Sequence, residues 1–337
     1  MATAIRPLRK FQLGKESSKG TLVAATRVLT GDTQFMERRN RYYSAYPRGV
    51  AATVGGSGTL VKQWVDIEHR GELSAEDILW PLHLGIRGGV SPTGGGTAKT
   101  WTFTPQLTTA IRTLEAATCE FMRSDGSTNH YYGESGYCMC ASFRIESEPE
   151  GIAQYSMNLF GRARQTDTPT SSQVPYTSLE ALAGGGLSVY CDTSWSGLGG
   201  TQLTGMQRKV IFNCDTGVVP QWSADGRSDR DYAEHAVGSL KAKLNIEWEF
   251  DSVGAARYAS YRAGDIVYLR LKWVGSAISG GGNKTVQIDG AYRFAGDPTF
   301  VETDEQTFMS AELDAVYDAT GTKILEFTAI NTLSAVD

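Results

Sequence analysis

Four histidines, five cysteines and a few closely spaced carboxylates are the residues of this chain with the means to do chemistry. A metal centre needs several of them delivered to one point by short spacings such as C-x-x-C or H-x-x-x-H. His69, His83, His130 and His235 stand far apart, and none belongs to such a grouping. Cys138 and Cys140 are two apart, so a strand puts both on one face, where they read as small packed side chains. Asp225, Asp229 and Asp231 are acidic enough for calcium, but Arg227 and Arg230 interleave them and Gly226 is misplaced for a calcium loop. That stretch reads as a solvated turn, and no metal or cofactor is expected.

Nucleophilic and phosphate-binding patterns fail in the same way. Gly133-Glu134-Ser135-Gly136 lacks the G-x-S-x-G spacing that exposes a serine on a tight turn. Gly280-Gly281-Gly282-Asn283-Lys284-Thr285 has Asn where a P-loop needs Gly ahead of its Lys, leaving a Gly-rich turn. Gly197-Leu198-Gly199-Gly200-Thr201-Gln202 lacks the last Gly of a dinucleotide fingerprint. Glu146 and Glu148 have the types for paired acids, yet Pro149 marks a strand end and no substrate cleft is indicated. Asn283-Lys284-Thr285 matches a glycosylation acceptor but carries no weight without a secretory signal. The chain is not expected to be an enzyme.

The elements that would position any site are strands. Period-2 alternation, the mark of a half-buried antiparallel strand, is cleanest at 241–250, where Ala242, Leu244, Ile246, Trp248 and Phe250 oppose Lys241, Lys243, Asn245, Glu247 and Glu249. It recurs at 265–273 and at 137–146, where Tyr137, Met139, Ala141, Phe143 and Ile145 share a face, and more loosely at 153–162 and 285–294. Further strands are predicted over 21–30, 59–69, 99–104, 111–122, 187–191, 208–214, 307–317 and 322–331. Asp125-Gly126 and Asp318-Ala319-Thr320-Gly321 punctuate two hairpins, the second between the last two strands.

Helical signal is thin. Ser74-Ala75-Glu76-Asp77 reads as a helix start that Pro81 must end or kink, and 252–262 as a second helix stopping before Gly264. The fold class is therefore mainly β: an antiparallel β-sandwich with one to three short flanking helices. Residues 1–20 are expected to form an N-terminal arm, 21–331 the β-rich body and 332–337 a C-terminal tail. Within the body 37–58 is a long loop, and 164–186 is the one weak place for a subdivision. No internal repeat is visible.

Composition narrows the class. The 337 residues are 41% hydrophobic and 20% charged, with 38 Gly against 10 Pro, as suits a folded chain of many short strands. A formal charge of -5 argues against gripping nucleic acid through counterion release. No apolar run is long enough to span a membrane, no signal peptide is expected, and an odd cysteine count fits synthesis in a reducing cytoplasm.

The order of several segments resembles the major tail tube proteins of long-tailed, non-contractile bacteriophages. Gly14-Lys15-Glu16-Ser17-Ser18-Lys19-Gly20-Thr21 followed by Val23-Ala24-Ala25-Thr26 is similar to that family's N-terminal start. Trp101-Thr102-Phe103-Thr104-Pro105 resembles its aromatic strand ending in Pro, and 136–161, with the turn Glu146-Ser147-Glu148-Pro149-Glu150-Gly151, its central hairpin. Ala315-Val316-Tyr317-Asp318 and Phe327-Thr328-Ala329-Ile330-Asn331-Thr332 resemble its closing segments, while 188–230 matches less closely.

The resemblance implies a barrel-forming subunit of the virion without an active site. Hexameric rings of identical subunits would stack into a hollow tube that conducts the genome, with DNA passing through the lumen free of sequence-specific binding. Self-contacts come first among its partners, then other tail proteins such as the tape measure and terminator, and no membrane. On this reading Arg38, Arg39, Arg41, Tyr42, Tyr43 and Tyr46 form a ring-to-ring contact arm, and Phe11 and Leu13 are subunit contacts of the N-terminal arm. The rival reading is a β-sandwich carbohydrate-binding or adhesive module, favoured by Trp195 and Trp222 in Gly-rich loops.

Overall fold

The computed structural model describes residues 9–43, 58–107, 112–124, 129–166, 168–204, 207–303 and 306–336. In chain order its strands are β1 (Lys10–Lys15), β2 (Arg27–Leu29), β3 (Asp32–Tyr42), β4 (Thr59–Glu72), then, after helix α1 (Leu79–Gly85), β5 (Lys99–Phe103), β6 (Ala117–Ser124), β7 (Asn129–Ser147) and β8 (Gln154–Gly161). There follow β9 (Leu187–Asp192), β10 (Gln207–Asp215), β11 (Val218–Gln221), β12 (Glu234–Val237) and β13 (Lys241–Glu249). Helix α2 (Ser252–Ala263) precedes β14 (Val267–Ala277), β15 (Asn283–Phe294), β16 (Thr299–Thr303), β17 (Gln306–Ala315) and β18 (Leu325–Asn331). The protein is mainly β and its strand pairs are antiparallel.

One long sheet runs β3-β4-β8-β7-β10-β13-β17-β16. A second runs β9-β14-β15-β18-β5 and joins the first where residues 292–294 of β15 pair with β17. A third consists of β2, β1, β6 and the first half of β7. The inward faces meet in one core. Phe327 of the second sheet contacts Phe143 and Phe212 of the first, and Trp273 donates its indole N–H to Ser147 Oγ at 3.0 Å. Phe121 of the third sheet stacks on Phe35, and Phe11 on His69.

The alternating strands take the places their patterns predict. In β13, Ala242, Leu244, Ile246 and Trp248 are buried while the intervening residues are not. Along β7 the pattern changes phase. A bulge between Cys140 and Ser142 puts Cys138, Cys140, Phe143 and Ile145 in the main core and turns Tyr137 and Met139 to the opposite face. The expectation that Tyr137 to Ile145 share one face fails because one extra residue flips every side chain beyond it. Tyr137 and Met139 join a smaller cluster with Phe160, Val218 and Tyr232.

Four boundaries need correction. Pro81 sits in the first turn of α1, where its missing N–H costs no helical bond, so it opens the helix and does not end it. The Asp318 turn is closed by a bridge to Lys323, but β17 and β18 pair with other strands, not each other. Residues 37–42 are the end of β3, not a loop; 44–57, with Tyr46, lie outside the described residues, as do Asp125-Gly126 and 1–8. Residues 10–15 are a paired central strand, not an arm.

Phe11 and Leu13, expected to await a neighbouring subunit, are buried in this chain's own core at 3% and 0% exposure. Buried carboxylates fasten the residues that follow: Glu16 accepts from Tyr137 N at 2.6 Å and Thr118 Oγ1 at 3.1 Å. Glu120 accepts from Gln12 Nε2 and Thr170 N, both at 2.6 Å, and from Ala25 N at 3.1 Å. Thr170 therefore binds the third sheet, while Leu182 N donates to Leu73 O, so 164–186 is sewn to the body on both sides. The C-terminal residues are also held, with Val336 buried in the core.

The long sheet is built twice from one plan. In the first half the chain order β3, β4, α1, β7, β8 gives the sheet order β3-β4-β8-β7. In the second, β10, β13, α2, β16, β17 gives β10-β13-β17-β16. The helix follows the second strand each time, and β7 pairs with β10 where the halves meet. This topological repeat, invisible in the sequence, divides the sheet into matching halves.

Candidate assembly surface

The outward face of the long sheet is a continuous polar wall. Strand register sets its residues in rows, one running Gln34, Glu68, Asn158, Ser142, Asp215, Lys241. The next runs Asp32, Arg70, Ser156, Arg144, Asn213, Lys243, Asp314, and a third Glu72, Gln154, Glu146, Ile211, Asn245, Glu312. Each residue in these rows is half-buried or exposed, because its strand neighbours of opposite parity fill the core. Carboxylates outnumber cations in the rows.

Some of those charges are paired. Burial alone would raise the Glu146 carboxyl, but Arg144 at 2.9 Å and Lys209 at 3.6 Å bring it below the ordinary value. Lys209 also reaches Glu148 at 2.8 Å, and that hydrogen bond raises its pKa. Glu146 and Glu148, the paired-acid candidates, thus share a lysine on an open face. Lys243 bonds Glu312 and lies 3.8 Å from Asp314. At one end the wall passes under the β11–β12 ribbon, where the Phe160 and Tyr232 cluster lies.

The wall stops at two strand edges of unlike character. Other sheet edges are covered by loop backbone: Val174 O accepts from Val28 N beside β2, Thr93 bridges Thr100 of β5, and Thr201 O and Leu203 N bond β9. Among the described residues β3 pairs only with β4, and β16 only with β17. On β16, Phe300 is 48% and Val301 40% exposed, with one side of Phe300 against Phe250 and Tyr258.

Of the sequence-predicted contact residues, Arg38, Arg39, Arg41, Tyr42 and Tyr43 come together at the far end of the β3–β4 ribbon, past the last residue paired with β8. Arg38 Nε bonds Asp66 at 2.9 Å, Arg39 meets Glu37 at 2.5 Å, and Arg41 Nη1 donates to Gly58 O at 3.0 Å. Tyr42 and Tyr43 are 56% and 63% exposed. The 221–231 loop braces the ribbon, since Gln63 N donates to Arg230 O at 3.0 Å and Trp222 packs edge-on to Trp64 with Lys62 over both rings. Sequence reasoning missed the β16 edge, whose only signal is Phe300-Val301 in a polar stretch.

The metal-ligating candidates stay scattered among the described residues. No three His, Cys, Asp or Glu side chains converge there, and the five cysteines are unpaired and buried. His69 is buried against Thr33 and Tyr155, His83 lies 3.0 Å from Glu115, and His235 meets the Tyr137 hydroxyl, three separate places; the His130 side chain lies outside the described residues. Trp195 packs on Tyr268 while Trp222 packs on Trp64 and Tyr232, so each serves its own neighbours. No known protein-family profile matches the chain, and a search of curated proteins finds no significant relative.

Proposed function

We propose that this chain is a structural subunit of a phage tail tube, in which identical copies join edge to edge into rings, rings stack, and the viral genome passes through the bore. The observation that carries this reading is the mostly polar wall that ends, among the described residues, at two strand edges without a further partner strand. An open edge bearing Phe300 and Val301 is an aggregation hazard unless a partner strand closes it. Closing the sheet on further copies of itself removes that hazard and turns the wall into the lining of a cylinder.

The lining suits passage of DNA. Its excess of carboxylate repels phosphate, and Arg144 and Lys243 are paired with neighbouring acids, so a duplex slides without being held. The projecting ribbon end, with Arg38, Arg39, Arg41, Tyr42 and Tyr43, then reaches the next ring. Arg and Tyr combine large contact area with hydrogen-bonding tips, as interface centres do. The work is mechanical: self-contacts make the tube, the tape measure fills it during assembly, and the terminator ends it in the virion. Electron microscopy of the concentrated, purified chain should show rings or hollow tubes. A chain that stays single at every concentration and ionic strength would overturn the proposal.

A further inference from the structure

The two matching halves of the long sheet contain, inside one chain, a finished example of the contact that its ends lack. β7 closes the first half and pairs antiparallel with β10, the opening strand of the second. β16 occupies the place of β7 and β3 the place of β10, yet among the described residues neither has a partner strand beyond its own half. Phe143 on β7 lies opposite Met157, and Phe300 on β16 opposite Met309, so the two phenylalanines match. Phe143 is 2% exposed, with Phe212 of β10 and Phe327 of the second sheet beside it; Phe300 is 48% exposed.

We infer that β16 of one copy pairs antiparallel with β3 of a second copy, reproducing the β7–β10 junction, so that each chain supplies two units of a closed wall. The contact is heterologous, with different strands meeting, and such contacts propagate head to tail until the rotation closes. The inference rests on the tube reading above. There a wall of six units takes three chains instead of the expected six, with alternate junctions lying within and between chains.

Cysteine cross-linking on the full chain tests both the contact and the count. Val301→Cys on the wall side of β16 is combined with Gln34→Cys, Met36→Cys or Arg38→Cys on the wall side of β3. The native cysteines are buried and give no competing product. Oxidised rings run on a denaturing, non-reducing gel should give a ladder that ends at three chains for at least one pair. A ladder that continues to six overturns the count while leaving the tube reading intact. Rings that form normally but never cross-link overturn the β16–β3 contact alone, and a chain that forms no rings overturns both readings. Val301→Lys is the second variant: it should keep the unfolding temperature of the single chain and lower ring yield at least tenfold, and unchanged yield also overturns the contact.

Discussion

Phe143 and Phe300 stand at matching positions in the two halves of one sheet, opposite matching methionines, and differ in exposure by 2% against 48%. The difference is not in the residue but in what lies around it: Phe212 of the next strand and Phe327 of the second sheet meet Phe143, while Phe300 meets Phe250 and Tyr258. The same contrast holds for the helices. Every residue of α1 is buried beneath the second sheet's edge, where His83 meets Trp101 and Phe103, whereas in α2 only Gly254 is. The first half is thus finished within the chain on its β10 side, and the second half ends on an open edge.

The first half is completed partly by the N-terminal strand, which gives the largest predicted effect. Deleting residues up to Lys15 removes β1, opens the edge of β6 and leaves Glu120 buried without Gln12. Phe11 and Leu13 alone forfeit about 1.5–3 kcal/mol each, and the lost Gln12 hydrogen bond about 0.5–1.5 more, a large share of a typical margin of about 5–15 kcal/mol. The truncated chain should be insoluble or lack a cooperative unfolding transition by circular dichroism. A soluble, cooperatively folding product would show that the first half stands without its cover.

Second in size is the direct test of the paired phenylalanines. Phe143→Ala empties a filled core site and should cost about 3–5 kcal/mol, read from urea unfolding of the single chain. Phe300→Ala loses its edge-on contact with Phe250 and its tilted contact with Tyr258, about 0.5–1.5 kcal/mol, and should show its main effect on assembly. Equal losses of chain stability would mean that Phe300 is already a core residue.

What could be read in the sequence follows the same division. β13, β14, β15 and β8 were legible because one face is buried and the other wet, which writes alternation directly into residue order. β3 was not, because its Glu37-Arg38-Arg39-Asn40-Arg41 end runs past the core and neither face is apolar. β16 is too short and too exposed to alternate. The repeat was hidden because only strand order is shared: 43–58 joins β3 to β4, while the β11–β12 ribbon lies between β10 and β13. Arg38, Arg39 and Tyr42 lie together because they are neighbours in the chain. That their strand and β16 bound opposite ends of the wall is a product of topology, which local pattern does not record.

Buried titratable groups of the first half should make its stability respond to pH in two opposed ways. Burial lowers the His69 pKa to about 4, so its contribution is present above about 6.5 and lost as pH falls through 4. Burial, reinforced by the Glu76 charge, raises the Asp77 carboxyl to about 7, so its contribution is present below about 4 and lost as pH rises through 7. Between about pH 4 and 6.5 the slopes oppose, each at most about 1.4 kcal/mol per unit. Asp77→Asn should therefore steepen the rise of stability with pH, and His69→Gln should reverse it, measured by urea unfolding across that range. Parallel shifts of both variants at every pH would assign the two groups no titration on unfolding.

The smallest effect on the chain itself should come from the wall. Glu68→Lys, Glu146→Lys and Glu312→Lys change wall residues and break surface ion pairs with Arg144, Lys209 and Lys243, which contribute weakly, so single-chain unfolding should move little. Their consequence belongs to the assembled state, where one face of both halves becomes a common lining. Tubes of the triple variant should bind short duplex DNA that wild-type tubes leave free. Each phosphate newly neutralised should steepen the fall of log affinity with log salt by about 0.9. If the variant tubes bind no more DNA than the wild type, the rows do not face the bore. The exposed charges must then lie on the outside, and the matching edges close the sheet with the opposite curvature.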